Sequence, residues 1–429
     1  MTDCRVNAWT LGRLPQLNRA ILAGQAPPES LVEAIREEAF PHLAVDPGSY
    51  GPREAERITT LLGMWGSACV RHYVQHRRVP ATDTRALFAQ LGIRDDSFRG
   101  YLGRVAERTG AGHPDRDTYV SYFHWNPPAV HVRWAGRTWT ARGAFGDGRV
   151  RTHTGDLREV ELLLFVKKAE AVERAANELL EPLTVQELAT EEAVERMTAA
   201  AGLLNVVHRL FADFTRLPID RRVTPEFFTD TWRQYTNHWE PGDFPPSGAA
   251  DVEFIARDFL LGIDVPDYPS YVRRLYPALV TDGQELLTRL MGRTPIPDQL
   301  LERVGITPAD LARASAEELL RIAAKHPELA ACYLLLAEST RLASAHLNFG
   351  RRFVFDLRRS RDEEGMPDTP VMSSRIGSTG IRESFMDELK RGRRGHRLTA
   401  LERVRRPALA EIVAMPQAPA PADVVTIGT

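Results

Sequence analysis

Apolar positions recur at helical spacing along most of this chain, and the elements they predict are mainly helices. The runs at 29–44 and 52–78 carry that spacing, with Pro52 near the start of the second, where a missing N–H does no harm. Two shorter helices are predicted at 84–92 and 95–109. Between 118 and 156 the character changes. This stretch is rich in Trp, Tyr, Val and Thr, alternates over VHVRWAGRTWTA, and offers Ala135-Gly136 as a hairpin turn. FGDGRV gives a second turn signal. The helical period then resumes over 157–180, 184–214, 225–239, 250–262, 268–292 and 308–324, and the longest run covers about 327–358. A polar loop (RSRDEEGMPDTPVMSS) and the small-residue run IGSTG lead into a last helix over about 380–391. The Ala/Pro-rich tail from Pro416 is expected to be disordered or draped. No internal repeat is visible. The chain therefore reads as mainly α, in two parts. A smaller helical part spans 1–156 with a β-hairpin excursion at 130–153; a large all-α part spans 157–410, and a tail spans 411–429.

Composition narrows the function classes. With 43% hydrophobic and 26% charged residues, a 429-residue chain can bury a sizeable core without metal or disulfide staples. With a net charge of −2 nothing demands nucleic acid or an acidic membrane surface, and no nucleic-acid partner is expected. Cys4, Cys69 and Cys332 are odd in number and lack CxxC spacing, which argues against a disulfide framework or zinc ribbon and for a reducing cytoplasm. No apolar run follows Met1, and no stretch approaches the roughly 18 apolar residues of a membrane span, so no signal peptide and no membrane partner are expected. Lysine occurs only at 167, 168, 325 and 390, an arginine bias that reads as compositional.

Several constellations could carry chemistry, and each has a plainer reading. His72 and His76 stand one helical turn apart, half of a zinc site or two ordinary histidines of an amphipathic helix. RGRRGHR at 391–397 could bind phosphate or lie solvated at a helix end. IGSTG precedes a helix whose first N–H groups could accept an anion, but it lacks a P-loop lysine and follows no predicted strand. His346 lies on the stripe of Leu335, Leu342, Phe349 and Phe353, with Ala343 and Gly350 beside it. It is a core histidine, or a neutral imidazole with room for something flat and large, such as a haem. In TPEFFTDTWRQYTNHW, Phe228, Trp232, Tyr235 and Trp239 form an aromatic stripe. Arg233 at its flank is a surface arginine or a bidentate carboxylate clamp. His124, Trp125 and Asn126 stand just before Pro127-Pro128, as a pocket wall or a structural turn.

In this order, over about 119–389, these segments resemble the haem-dependent indoleamine/tryptophan 2,3-dioxygenase group, most nearly its monodechloroaminopyrrolnitrin synthase branch. YFHWNPP resembles the Trp-Asn-Pro segment of that branch. The spacing of eight from Pro225 to Arg233 is found in both branches. FLLGIDV after Asp258 resembles an Asp-x-Leu-Leu-Gly-Ile stretch, and ASAHLNFGRRF with IGSTGIRESFMDEL resembles the proximal-histidine helix and the glycine-rich substrate loop after it.

The resemblance implies a cytoplasmic oxidoreductase of specialised metabolism that holds haem b and its iron on His346, the metal ligand. It implies an aromatic amino-acid substrate, tryptophan or a related indole, with O₂ or peroxide as co-substrate and a redox partner as a further possibility. On the same basis Arg233 is expected to hold the substrate carboxylate. Phe228 and Trp125 are expected as the apolar wall, and Gly377, Ser378, Thr379 and Gly380 as the lid over the polar end. Ser247, Gly248 and Ala249 are expected to pack over the haem, Arg341 to serve the cofactor, and His124 to act as a distal acid/base. Two departures stand out: Ile381 replaces a threonine that touches the substrate amine, and Ala343 replaces a propionate-binding arginine three residues before the histidine. Two other functions remain open: a plain tryptophan 2,3-dioxygenase giving N-formylkynurenine, and a haem-free helical binding or scaffold protein. The oligomeric state is not legible.

Overall fold

The computed structural model describes residues 2–77, 84–93, 96–263, 265–415 and 419–428, and it is mainly α with one small antiparallel sheet. The helix Glu191–Thr215 lies between Leu157–Leu180 and Pro327–Gly350 and packs along both. Each start has a local cause. The Asp156 side chain accepts from the Arg158 N–H and that of Thr190 from the Ala193 N–H, so each caps its helix. The helix Val252–Leu260 is capped by Asp251 and packs on Leu157–Leu180. Among the described residues no helix is long and apolar enough to cross a membrane.

β1 (Val130–Trp134) and β2 (Arg137–Ala141) pair antiparallel through Ala135 (φ 47°) and Gly136 (φ 75°), both in the left-handed region that a tight hairpin turn requires. Trp134 seats the hairpin on the bundle: its ring fills the space where a side chain at Gly202 would begin. The tail departs from expectation. β3 (Val425–Ile427) adds to β1 in the register Val130↔Ile427 and Val132↔Val425, giving the order β2-β1-β3. The backbone hydrogen bonds of β1 are what a Pro/Ala-rich composition could not announce. Part of the tail, 416–418, lies outside the described residues.

Other differences have visible reasons. A helix over Thr2–Leu22 is present although its pattern is interrupted by Pro15. The single helix expected over 268–292 is divided into Tyr268–Leu275 and Thr281–Met291, and Pro277, which has no N–H to donate, stands between them. The 308–324 run breaks before Ser315, whose capping box with Glu318 starts a new helix. The 225–239 stretch is not a regular helix: it widens into a π turn over Phe227–Trp232 and tightens over Arg233–Tyr235. The long helix likewise widens over Arg351–Asp356, just past His346. Both distortions fall beside the site described below, as π turns often do.

Asp117 ties the helix Pro52–Arg77 to the turn Val120–Trp125. It accepts from the Ser67 and Ser121 hydroxyls, each at 3.1 Å, and is buried. Burial pushes its carboxyl up to about 7, and the two hydroxyls offset only part of that. The folded state then holds a proton that the unfolded chain has already released, so stability falls as pH rises from about 4 toward 7. Asp117→Asn is therefore expected to match the wild type near pH ~4 and to exceed it by roughly 4 kcal/mol at about pH 8, on a scale of ~1.4 kcal/mol per unit. Urea unfolding at the two pH values checks this, and a constant difference would show that Asp117 is ionised in the fold.

Candidate active site

The three bundle helices, the π turn over Phe227–Trp232, the helix Val252–Leu260 and the segment 377–381 enclose a cavity of about 280 Å³. A larger groove, about 1000 Å³, opens between the hairpin and the starts of Glu191–Thr215 and Pro327–Gly350. Its walls carry exposed charges of both signs, such as Arg137, Glu191 and Lys325. The smaller cavity is where buried charge, imidazole and aromatic rings converge, which is the usual signature of a binding site.

His346 opens into this cavity. Its ring stands edge-on to Phe254 with centroids 4.9 Å apart and lies 6.0 Å from Phe211. No hydrogen bond to either ring nitrogen is present among the described residues. Burial first, then the positive charges of Arg393 and Arg257, lower its pKa to about 4, against a smaller upward pull from Asp258. The imidazole is thus neutral at physiological pH, with a nitrogen lone pair free to bind a metal. Ser247, Gly248 and Ala249 face it: a Cβ at Gly248 would come 3.9 Å from His346 Nε2.

Arg233 also lines the cavity and is 2% exposed. Its guanidinium donates to the Ser373 carbonyl and, at 2.7 Å, to the Ile376 carbonyl. No carboxylate pairs with it directly among the described residues. Burial lowers its pKa to about 10, and the more distant Asp368 only partly offsets this. Among the described residues this buried cation is thus bound to two carbonyls and to no anion. Its neighbour Gln234 holds the same segment: its Oε1 accepts from the Val371 and Met372 N–H groups, each at 3.0 Å.

Gly377, Ser378 and Thr379 line the cavity, and the Thr379 hydroxyl meets Tyr271 Oη at 2.8 Å. The loop is a tight turn. The Gly377 N–H donates to the Ile381 carbonyl at 2.8 Å, the Gly380 N–H donates to the Gly377 carbonyl at 2.9 Å, and Gly380 has φ 79°. These two N–H groups are spent within the turn and do not reach into the cavity as the lid reading expects. Gly380 itself is not in the wall. Phe228 is, with Trp232 at 5.0 Å and Phe349 at 6.0 Å between centroids.

Three expected residues lie elsewhere. His124 is off the cavity wall, its Nδ1 2.7 Å from Glu170 Oε1 and 3.1 Å from Lys167 Nζ. Lys167 also donates to the His124 and Arg142 carbonyls, each at 2.9 Å. This is a buried polar knot that fastens the turn Val120–Trp125 to the bundle, and it replaces the distal acid/base reading. Trp125 packs on His113 with centroids 4.9 Å apart and is not part of the wall. Arg341 is 47% exposed at its side chain, pairs with Glu338 at 3.1 Å, and turns away from the cavity. His72 is buried against Asn18 Oδ1 at 2.9 Å, and among the described residues no three His, Cys, Asp or Glu side chains are grouped to hold a bare metal ion.

Sequence reasoning missed Phe211, Phe254, Tyr271 and Arg393 in the wall. Phe211 lies on the face of Glu191–Thr215 toward Phe165, at 4.8 Å between centroids, a detail that helical period alone does not order. Arg393 sits within a basic run that reads as surface; Arg391 and Arg394 are indeed exposed, but Arg393 and His396 turn inward. Against known proteins, no family model matches this chain and no curated protein is significantly similar to it.

Proposed function

We propose that this chain is a cytoplasmic haem-dependent oxidoreductase acting on an aromatic amino acid, tryptophan or a related indole. One observation carries the reading. Among the described residues, a neutral imidazole without a hydrogen-bond partner and a buried guanidinium without a carboxylate partner open into the same aromatic cavity. The donor set suits haem: one neutral nitrogen, flat Phe rings around it, and, among the described residues, no group of three side chains that could hold a bare metal ion. His346 would hold the iron, and Ser247, Gly248 and Ala249 would flank the ring system. Bound haem would supply activation of O₂ or peroxide.

The rest falls to side chains of this chain. Arg233 would fix the substrate carboxylate, and Phe228 with Trp232 would press on the aromatic ring. The segment 371–379 would exclude water, held down by Arg233, Gln234 and Tyr271. At about 280 Å³ the cavity lies just under the roughly 300–1,000 Å³ of small-molecule sites. Entry of a group as broad as haem therefore requires this segment to lift.

The test is a titration of the full-length protein with haem, read as a Soret band, with and without a panel of aromatic amino acids. A band that shifts with ligand supports the reading; no band after reconstitution would establish a haem-free binding or scaffold protein. Arg233→Ala is expected to weaken the ligand-induced shift about tenfold or more, since a charged hydrogen bond contributes roughly 1.5–3 kcal/mol. Unchanged apparent affinity would remove Arg233 from the site. Incubation with tryptophan separates the dioxygenase outcome, because N-formylkynurenine absorbs where tryptophan does not.

A further inference from the structure

Arg393, on the helix Glu383–Arg394, lines the cavity and is 2% exposed. Its Nε and Nη2 donate to Asp258 Oδ1 and Oδ2 at 3.1 and 2.5 Å. The Tyr268 hydroxyl donates to the same Asp258 Oδ2 at 3.0 Å. The third nitrogen, Nη1, is buried with no hydrogen-bond partner among the described residues. Leaving a buried donor of a charged group unmade is costly, and more so in an interior of low dielectric. Native proteins keep such groups where something else supplies the acceptor.

Position narrows what that acceptor is. The Arg393 guanidinium lies 4.8 Å from the centroid of Phe254, the ring that also meets His346 at 4.9 Å. Arg257 lies over the same ring at 4.2 Å, is engaged by Glu173 at 2.8 Å and also leaves Nε and Nη2 without a partner among the described residues, but it is not part of the cavity wall. Arg393 is therefore the cation of the His346 side, as Arg233 is of the 373–376 side. Asp258 is already occupied by two nitrogens and a hydroxyl, and it fixes the guanidinium so that Nη1 is left over.

We propose that Nη1 of Arg393 is a carboxylate-binding point of the cavity, separate from Arg233. The carboxylate has two possible sources: a propionate of a bound porphyrin, or a carboxylate on the small-molecule ligand. The first source rests on the haem reading; the second does not. Either way Arg393 fills a role that Arg341, paired with Glu338 outside the cavity, does not.

The experiment uses two probe pairs with the full-length apoprotein: iron protoporphyrin IX against its dimethyl ester, by absorption, and indole-3-acetate against indole-3-acetamide, by calorimetry. Two variants are compared with wild type. Arg393→Lys keeps a charge beside Asp258, and the double variant Asp258→Asn/Arg393→Met removes both charges, so that a folded variant is obtained from at least one route. Melting temperatures identify which are folded. Wild type is expected to favour the acid over its neutral partner about tenfold or more in at least one pair, and the folded variants to lose that preference. Loss in the porphyrin pair assigns the propionate; loss confined to the indole pair assigns the small molecule. A wild type that binds no porphyrin sinks the haem reading and leaves Arg393 to be judged on the indole pair. Folded variants that keep the wild-type preference in both pairs, or a wild type without any acid preference, overturn the proposal.

Discussion

His346→Ala is expected to lose haem with the fold intact. Removing the supporting partner of a metal ligand already lowers affinity about 10–100-fold, so removal of the ligand itself should exceed that. The side chain stands at the cavity wall, packs on Phe254 and Phe211, and makes no hydrogen bond among the described residues, so little of the core depends on it. The variant should therefore melt close to wild type while showing no stable Soret band. Added imidazole provides the sharper readout. It should fit the space left by the side chain and restore the band, because the lost group was a neutral nitrogen held by burial rather than by a hydrogen-bond network. A variant that keeps full haem content and an unchanged spectrum would move the ligand away from His346. A variant that unfolds would mark His346 as a packing residue, and the same measurement on His346→Gln would then separate ligation from volume.

How far this site could be read in advance depends on the kind of information each residue carries. His346 and Arg233 were legible because each breaks a local rule: a histidine on an apolar stripe, an arginine beside an aromatic one. The hairpin was legible because Ala135-Gly136 interrupts a two-residue alternation. What escaped depends on contacts far apart in sequence. The 225–239 stripe assumes a regular helix, but the π turn at Phe227–Trp232 re-aims its members. Phe228 and Trp232 reach the cavity, while Tyr235 stacks on His153 at 4.2 Å and Trp239 packs on Phe88 at 5.2 Å. His124 had the chemistry of a distal base, yet Glu170 and Lys167, more than forty positions on, claim it. Arg393 was hidden for the opposite reason. Its neighbours Arg391 and Arg394 are solvated, and only Asp258, 135 positions away, explains why this guanidinium of the run is drawn inside.

That same pair gives the largest expected loss of stability. Asp258 is fully buried, and its carboxylate receives two nitrogens of Arg393 and the hydroxyl of Tyr268. Asp258→Ala strands all three donors at once. Breaking a buried ion pair from one side costs about 3–5 kcal/mol because the surviving charge stays behind without compensation. Asp258→Asn, which keeps one acceptor oxygen, should lose less. The double variant Asp258→Leu/Arg393→Met should recover most of the loss, since an apolar pair of similar volume carries no stranded charge. Urea unfolding of the three variants decides the matter: a loss below about 1 kcal/mol for Asp258→Ala would match an exposed pair instead. A second readout ties stability to the cavity. With one acceptor oxygen in place of two the guanidinium is held less firmly against Phe254, so Asp258→Asn, where it folds, should also blunt the acid-over-ester preference that Nη1 of Arg393 is proposed to create. Stability lost with that preference intact would make Asp258 a structural partner only.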